Sequence, residues 1–262
     1  MYKDKITRGN RPLILVTNDD GINARGIKAL SEYLMPLGDV VVVAPDGARS
    51  GQSAAITVNV PLRMALVEER DGYKAFKTTG TPVDCVKLAL NVLFADRPDL
   101  IVSGINHGSN SGVSVIYSGT MGAVFEGIVQ GIPSIGLSLC TFAPDADFSV
   151  CREVVELLCR QAINKGLPRD MGLNVNIPAV ERLEGIKVCR AARGRWTAEY
   201  DSRIDPIGRP YYWLTGYFDN AEPDAPDTDE YNMARNYASV VPVTPDRSLT
   251  EIDPRVIEWL RE

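Results

Sequence analysis

Short apolar runs punctuate the first two thirds of the chain. Leu13 to Thr17, Val40 to Ala44 and Leu100 to Ser103 are mostly β-branched and not alternating, as in strands buried on both faces of a parallel sheet. Each run ends in polar and glycine residues. Between them the sequence predicts helices over Ala24 to Met35, over Pro82 to Phe94 with Thr81 as N-cap, and over Thr120 to Val129. Ser134 to Ser138 reads as another strand, Ser149 to Lys165 as a helix and Leu173 to Ile177 as one more strand. Strand and helix alternate, which predicts an α/β fold built on a doubly wound, mostly parallel sheet.

The texture changes near Gly185. Trp196, Tyr200, Tyr211, Tyr212, Trp213, Tyr217 and Phe218 cluster around Asp205-Pro206-Ile207-Gly208, which predicts a long β-hairpin. A lone two-stranded ribbon is marginal in water, so one this aromatic calls for cover from another subunit or from the main sheet. Asp219 to Glu230, acidic and carrying Pro223 and Pro226, reads as a solvated loop, and residues 254–262 as a short terminal helix. The expected organisation is a catalytic core over residues 1–184, with a hairpin and oligomerisation segment over 185–262 packing on it.

Composition narrows the chemistry. The 262 residues are 45% hydrophobic and 24% charged, enough for a packed core without disulfide staples. A net charge of −6 argues against a protein that coats a nucleic-acid backbone. A small anionic substrate would need positive potential supplied locally, by a cation or by backbone N–H groups. The five cysteines, at 85, 140, 151, 159 and 189, are odd in number and include no C-x-x-C pair, which speaks for reduced thiols in the cytoplasm. The apolar run from Leu13 to Val16 is too short for a secretion signal, and no stretch approaches the roughly 18 apolar residues of a membrane span.

In open α/β sheets ligands bind beyond the carboxyl ends of the strands. Three such ends carry compact polar sequences: Asn18-Asp19-Asp20-Gly21, Asp46 to Gly51, and Gly104 to Asn110. Two carboxylates about 4 Å apart repel by roughly 4 kcal/mol at an effective dielectric near 20, so adjacent aspartates call for a partner. Asp19, Asp20, Ser50 and Asn106 form an all-oxygen donor set suited to Mg²⁺ or Mn²⁺. The alternative is a plain turn that exposes both acids. Asn106 to Gly112 and Tyr117 to Gly122 are glycine-dense and lead into the helix near Thr120. Backbone N–H groups there could cradle a phosphate, aided by the hydroxyls of Ser118 and Thr120; flexible loops alone would look similar. The Walker A lysine is missing and no G-x-G-x-x-G follows the first strand. His107, the one histidine, is either an acid/base group or a structural residue. Cys85 reads as a buried helix residue and Asp84 as an orienter of neighbouring loops. Ser50 lacks a G-x-S-x-G elbow, so a serine triad has little support.

Taken together, these blocks resemble the SurE family of survival-protein nucleotidases. The resemblance rests on Asn18-Asp19-Asp20-Gly21 with Gly26-Ile27, Ala44-Pro45-Asp46 with Ser50-Gly51 and Ser53, and Gly80-Thr81-Pro82 with Asp84-Cys85-Val86. It continues through Ser103-Gly104-Ile105-Asn106 with Gly108 and Asn110, and Tyr117-Ser118-Gly119-Thr120 with Glu126-Gly127. Thr228-Asp229 and Tyr237 to Pro245 resemble the family's weaker C-terminal pattern, whereas residues 140–225 match only loosely. Met121 and Val124-Phe125 depart from the residues common after Ser-Gly-Thr, which bears on the pocket wall.

The resemblance implies a Rossmann-like sheet with a C-terminal hairpin exchanged between subunits of a homodimer or tetramer. It also implies a metal-dependent phosphomonoesterase acting on nucleoside 5′- and 3′-monophosphates, with short polyphosphate a further substrate of some members. Asp19, Asp20, Ser50 and Asn106 match the family's metal-binding positions. In the corresponding mechanism Asp19, Asp20 and Asn106 are catalytic, one aspartate orienting or deprotonating water, while Gly51, Ser118, Gly119 and Thr120 hold phosphate oxygens. Two other classes stay open on sequence: an aspartyl-phosphate phosphatase, disfavoured because its acids are spaced Asp-x-Asp, and a non-catalytic nucleotide-binding stress-response module.

Overall fold

The computed structural model of the protein describes residues 5–248 and 254–260. Residues 1–4 of the expected core and 261–262 of the expected terminal helix lie outside the described residues. Uniform apolar character makes strand β1 (Leu13–Thr17) wholly buried, and helix α1 (Arg25–Leu34) then returns the chain to strand β2 (Asp39–Pro45). A hairpin follows, β3 (Met64–Arg70) with β4 (Tyr73–Thr78), and then helix α2 (Pro82–Leu88), which runs on as one π-helical turn to Leu93. Thr81 caps α2 in a capping box with Asp84, as the sequence predicts. The chain continues through β5 (Leu100–His107), α3 (Gly119–Val129), β6 (Ser134–Cys140), α4 (Arg152–Lys165) and β7 (Gly172–Pro178).

Beyond Pro178 the chain does not leave the core at once. Strand β8 (Gly185–Val188) joins the main sheet, then β9 (Gly194–Thr197), β10 (Tyr200–Ile204), β11 (Pro210–Leu214) and β12 (Tyr217–Asn220) form a projecting ribbon. After helix α5 (Asp229–Met233), strand β13 (Tyr237–Val243) re-enters the sheet, and α6 (Pro254–Trp259) ends the described chain. The nine-stranded sheet has the order β3-β4-β2-β1-β5-β6-β7-β13-β8. The six strands from β4 to β7 pair in parallel, with antiparallel contacts where β3 meets β4 and β13 meets β7. Residues 185–188 and 237–243 therefore complete the main sheet, and only the stretch around 194–220 stands apart from it.

α1 and α4 cover one face of the sheet, against Ile14, Val16, Val102 and Leu137. α2 and α3 cover the other, against Leu15, Val43 and Ile101. The chain steps outward from β1 to β2 and then crosses to the opposite side of β1 for β5. The boundary between β1 and β5 is thus the topological switch point, where loops part and leave a crevice. In the ribbon, β10 pairs with β11 across the expected turn, and β9 pairs with β12 at its root. Tyr200, Tyr212 and Trp213 are exposed, while Trp196 anchors the root by donating to Ser114 Oγ at 3.1 Å.

The acidic segment Asp219 to Glu230 is a largely exposed loop over residues 221–227, as expected, but its two ends depart from that expectation. It starts inside β12 and ends in α5, and Thr228 and Asp229 are fully buried. Asp229 accepts from Gly112 N, Ala192 N and Glu230 N, each at 2.8 Å. A carboxylate that satisfies three backbone donors loses little by burial, so Asp229 alone among these acids is fully buried.

Candidate active site

The loop after β1 is closed by its own first residue. Asn18 is fully buried; its Nδ2 donates to Gly21 O at 3.0 Å, and Gly21 N donates to Asn18 Oδ1 at 3.1 Å. Gly21 has a φ of +98°, the left-handed turn geometry that glycine adopts without strain. This tight turn presents Asp19 and Asp20 in succession at the switch point. Asp19 is buried and Asp20 half-buried, so the acids do not make a plain exposed turn.

Three further segments close around this turn. Arg49 N donates to Asp19 O at 2.6 Å, which brings the Ser50 loop alongside, with Ser50 itself exposed. The backbone N–H of His107 donates to Asp20 Oδ2 at 3.2 Å, which brings in the end of β5. Thr120 Oγ1 donates to Asp19 Oδ1 at 2.6 Å, which docks the start of α3. Gly119 packs so closely that a Cβ there would lie 2.8 Å from the Asp19 Cβ and 2.9 Å from Oδ2.

Asn106 is aimed by an irregularity in β5. Ser103 pairs with Gly136 and Asn106 with Ser138, so β5 carries one extra residue over this stretch. The Asn106 amide nitrogen donates to His107 O at 3.1 Å and Gly108 O at 2.8 Å. Its carbonyl oxygen has no hydrogen bond among the described residues and is left as an acceptor-only group on the residue next to His107, whose N–H meets Asp20.

Burial, opposed by the Thr120 hydroxyl and reinforced by the neighbouring Asp20 charge, pushes the Asp19 carboxyl up from 3.8 to about 6. Among the described residues no Lys or Arg forms an ion pair with either acid; the one basic neighbour is His107, whose Nδ1 lies 3.8 Å from Asp20 Oδ2. Its ring also packs edge-on against Phe148 at 5.0 Å. A buried carboxylate with a second carboxylate beside it and, among the described residues, no Lys or Arg ion pair is an oxygen donor set that fits a hard divalent cation.

The proposed phosphate contacts fall into different local roles. Ser118 caps α3 by accepting from Met121 N at 3.1 Å, and the Thr120 hydroxyl is committed to Asp19. The N–H groups of Gly119 and Thr120, in the first turn of α3, have no intrahelical carbonyl to bond. Gly51 is exposed with a φ of +73°.

Asp84 orients the Ser50 loop from behind. It accepts from Thr57 Oγ1 at 2.6 Å, Thr57 N at 3.1 Å and Thr81 N at 2.9 Å, fixing the far end of the segment that carries Ser50. Ser53 latches the same segment onto Ile116 O and Tyr117 O. Cys85 is fully buried, and burial pushes its thiol up to about 12, which leaves it inert at neutral pH. Two residues outside the expected site, Asn18 and Asp229, hold its loops in place. The Asx-turn pattern signalled the first; nothing local signals that Asp229 meets Gly112 and Ala192 in space.

Comparison with known proteins shows the family. The family described as Survival protein SurE matches residues 14–198. A 5′-nucleotidase SurE of Christiangramia forsetii is 49% identical over 253 residues, covering 95% of this chain and 97% of the relative. A 5′-nucleotidase SurE of Phocaeicola vulgatus is 47% identical over 236 residues, covering 90% and 92%. The crystal structure of the SurE protein from Aquifex aeolicus superposes with a TM-score of 0.81 at 36% identity, covering 96% of this chain and all of that one. By the span of the family match and by the identity and coverage of these relatives, this chain belongs to the SurE family.

Proposed function

We propose that the protein is a phosphomonoesterase that hydrolyses nucleoside 5′- and 3′-monophosphates, and short polyphosphate as a further substrate, using one Mg²⁺ or Mn²⁺ per subunit. The observation that carries the reading is the buried Asp19 carboxylate beside Asp20, with no Lys or Arg ion pair among the described residues, set against the positive end of helix α3. Relatives of 43–49% identity are named 5′-nucleotidases, which supplies the substrate class.

Asp19, Asp20, Asn106 and Ser50 would hold the cation. When bound, it supplies Lewis-acid polarisation of the phosphoryl group. Thr120 holds the Asp19 carboxylate in a fixed orientation, and the His107 backbone N–H does the same for Asp20. The Gly119 N–H and the positive end of α3 at Thr120 bind phosphoryl oxygens, with Gly51 and the Ser118 region completing the cradle. An aspartate orients water for attack opposite the leaving nucleoside oxygen. This division answers the charge problem of a chain at net −6, since the positive potential is confined to the crevice.

The exposed aromatics of the β10–β11 ribbon support a homo-oligomer in which a second copy covers them. Five unpaired cysteines support a reducing, cytoplasmic setting, and no helix among the described residues is long and apolar enough to cross a membrane. The experiment is Asp20→Asn, assayed for phosphate release from nucleoside monophosphates with and without chelator. Manganese-stimulated hydrolysis is expected to vanish with the fold intact, and near-normal turnover would defeat the proposal.

A further inference from the structure

A second concavity opens beside the crevice, over the carboxyl ends of β6 and β7. It has a volume of about 300 Å³ and is lined by Ser109, Cys140, Pro178, Glu230, Met233 and Ala234. Ser109 lies three residues after Asn106 on the same loop, so one segment borders both. The crevice lies at the β1–β5 boundary and this cavity at the β6–β7 boundary, two strand spacings away, or roughly 10 Å. That is the scale on which a nucleoside monophosphate separates its phosphate from its base.

Its chemistry is opposite to that of the crevice. Pro178, Met233 and Ala234 form apolar walls, and a thioether such as Met233 packs well against an aromatic ring. Ser111 Oγ donates to one oxygen of Glu230, and the other oxygen has no hydrogen bond among the described residues. A carboxylate accepts only, so it repels a phosphate and seeks N–H donors. Burial holds the Glu230 carboxyl above its ordinary value, with the Ser111 bond opposing, as for an acceptor short of donors. Glu230 sits on a fixed backbone, because the preceding Asp229 accepts from Gly112 N and Ala192 N at 2.8 Å each.

We propose that this cavity receives the nucleobase of the substrate, its ring against Met233 and Pro178 and its amino or ring N–H group on the free oxygen of Glu230. The inference rests on the phosphomonoesterase reading and assigns that site its base-recognition half. Glu230 acts here in specificity and takes no part in the bond cleavage.

The test compares Glu230→Gln and Ala234→Trp with the parent protein. Ala234 is exposed at the end of α5, where a large side chain can fill the cavity without entering the core. The readout is kcat/KM for adenosine and guanosine 5′-monophosphate divided by that for ribose 5-phosphate, which lacks a base. Loss of a hydrogen bond to a charged group predicts a fall of at least about tenfold in this ratio for one of the two nucleotides in both variants. A ratio that holds in either variant, or a parent protein that does not prefer nucleotides to ribose 5-phosphate, overturns the assignment. A parent protein inert towards all three esters overturns the phosphomonoesterase reading itself, and the base site with it.

Discussion

Asp19 makes the metal-free protein less stable than it could be, and replacing it with asparagine exposes the cost. In the folded chain its carboxyl ionises near 6, against 3.8 for an unperturbed aspartate, chiefly because it is buried. The folded state therefore binds the proton more tightly than the unfolded state. Stability is unaffected by this group below 3.8, falls as pH rises between 3.8 and about 6, and is fully reduced above. Each pH unit is worth about 1.36 kcal/mol, so the cost at pH 7 is about 3 kcal/mol. Asparagine keeps an oxygen for the Thr120 hydroxyl but carries no charge. Urea unfolding in chelator at pH 7 should show Asp19→Asn more stable than the parent by about 3 kcal/mol, and the gain should shrink to about half by pH 5. Added Mn²⁺ should raise the parent's midpoint, since a ligand of the folded state stabilises by mass action, and leave the variant's in place. A variant no more stable than the parent at pH 7, or a gain that does not shrink toward acid, refutes the account of Asp19 as an uncompensated charge.

Other perturbations test the surrounding parts. Gly119→Ala sets a methyl group against Asp19, and displacement of the carboxylate should lower kcat by about 10- to 100-fold with an unchanged circular dichroism spectrum. Asp84→Ala removes the N3 half of the capping box of α2 and releases the Ser50 segment, so stability in urea should fall by about 1–2 kcal/mol and half-maximal activity should need more cation. Burial raises the Asp84 carboxyl but hydrogen bonds from Thr57 and Thr81 outweigh it and hold it below 3.8. Its stabilisation is thus present above pH 3.8, and the gap between parent and variant should close as pH falls below that value. Gly26→Ala places a Cβ 1.9 Å from the Ile105 carbonyl oxygen, where α1 crosses β5, and should destabilise by about 3 kcal/mol in the same unfolding assay.

Legibility varied along the chain with the locality of the signal. The strands around the switch point could be placed from runs such as Leu13 to Thr17, because a strand buried on both faces has no polar side to disguise it. The helix after Thr81 was equally legible, since a capping box is a contact between residues three apart. The β3–β4 hairpin is not among the elements that the apolar runs predict, although Asp71-Gly72, with Gly72 at a φ of +66°, is a strong turn signal. Most of β3 is exposed, so its apolar pattern is faint. The place of β8 and β13 in the main sheet is not legible locally, because their partners, β13 and β7, are set by long-range pairing.

Residue chemistry alone determined that oxygen donors and glycine-rich loops follow the strands, since apolar runs must end where water begins and turns demand their own residue types. Which of those groups meet was a matter of tertiary structure. Thr120 holds Asp19 from 101 residues away, and Asp229 reaches Gly112 from 117. Contacts of that range depend on the winding order of the sheet and on the depth at which each side chain is buried. Burial, in turn, is what raises the Asp19 carboxyl, because the dielectric around a group is a property of everything packed against it.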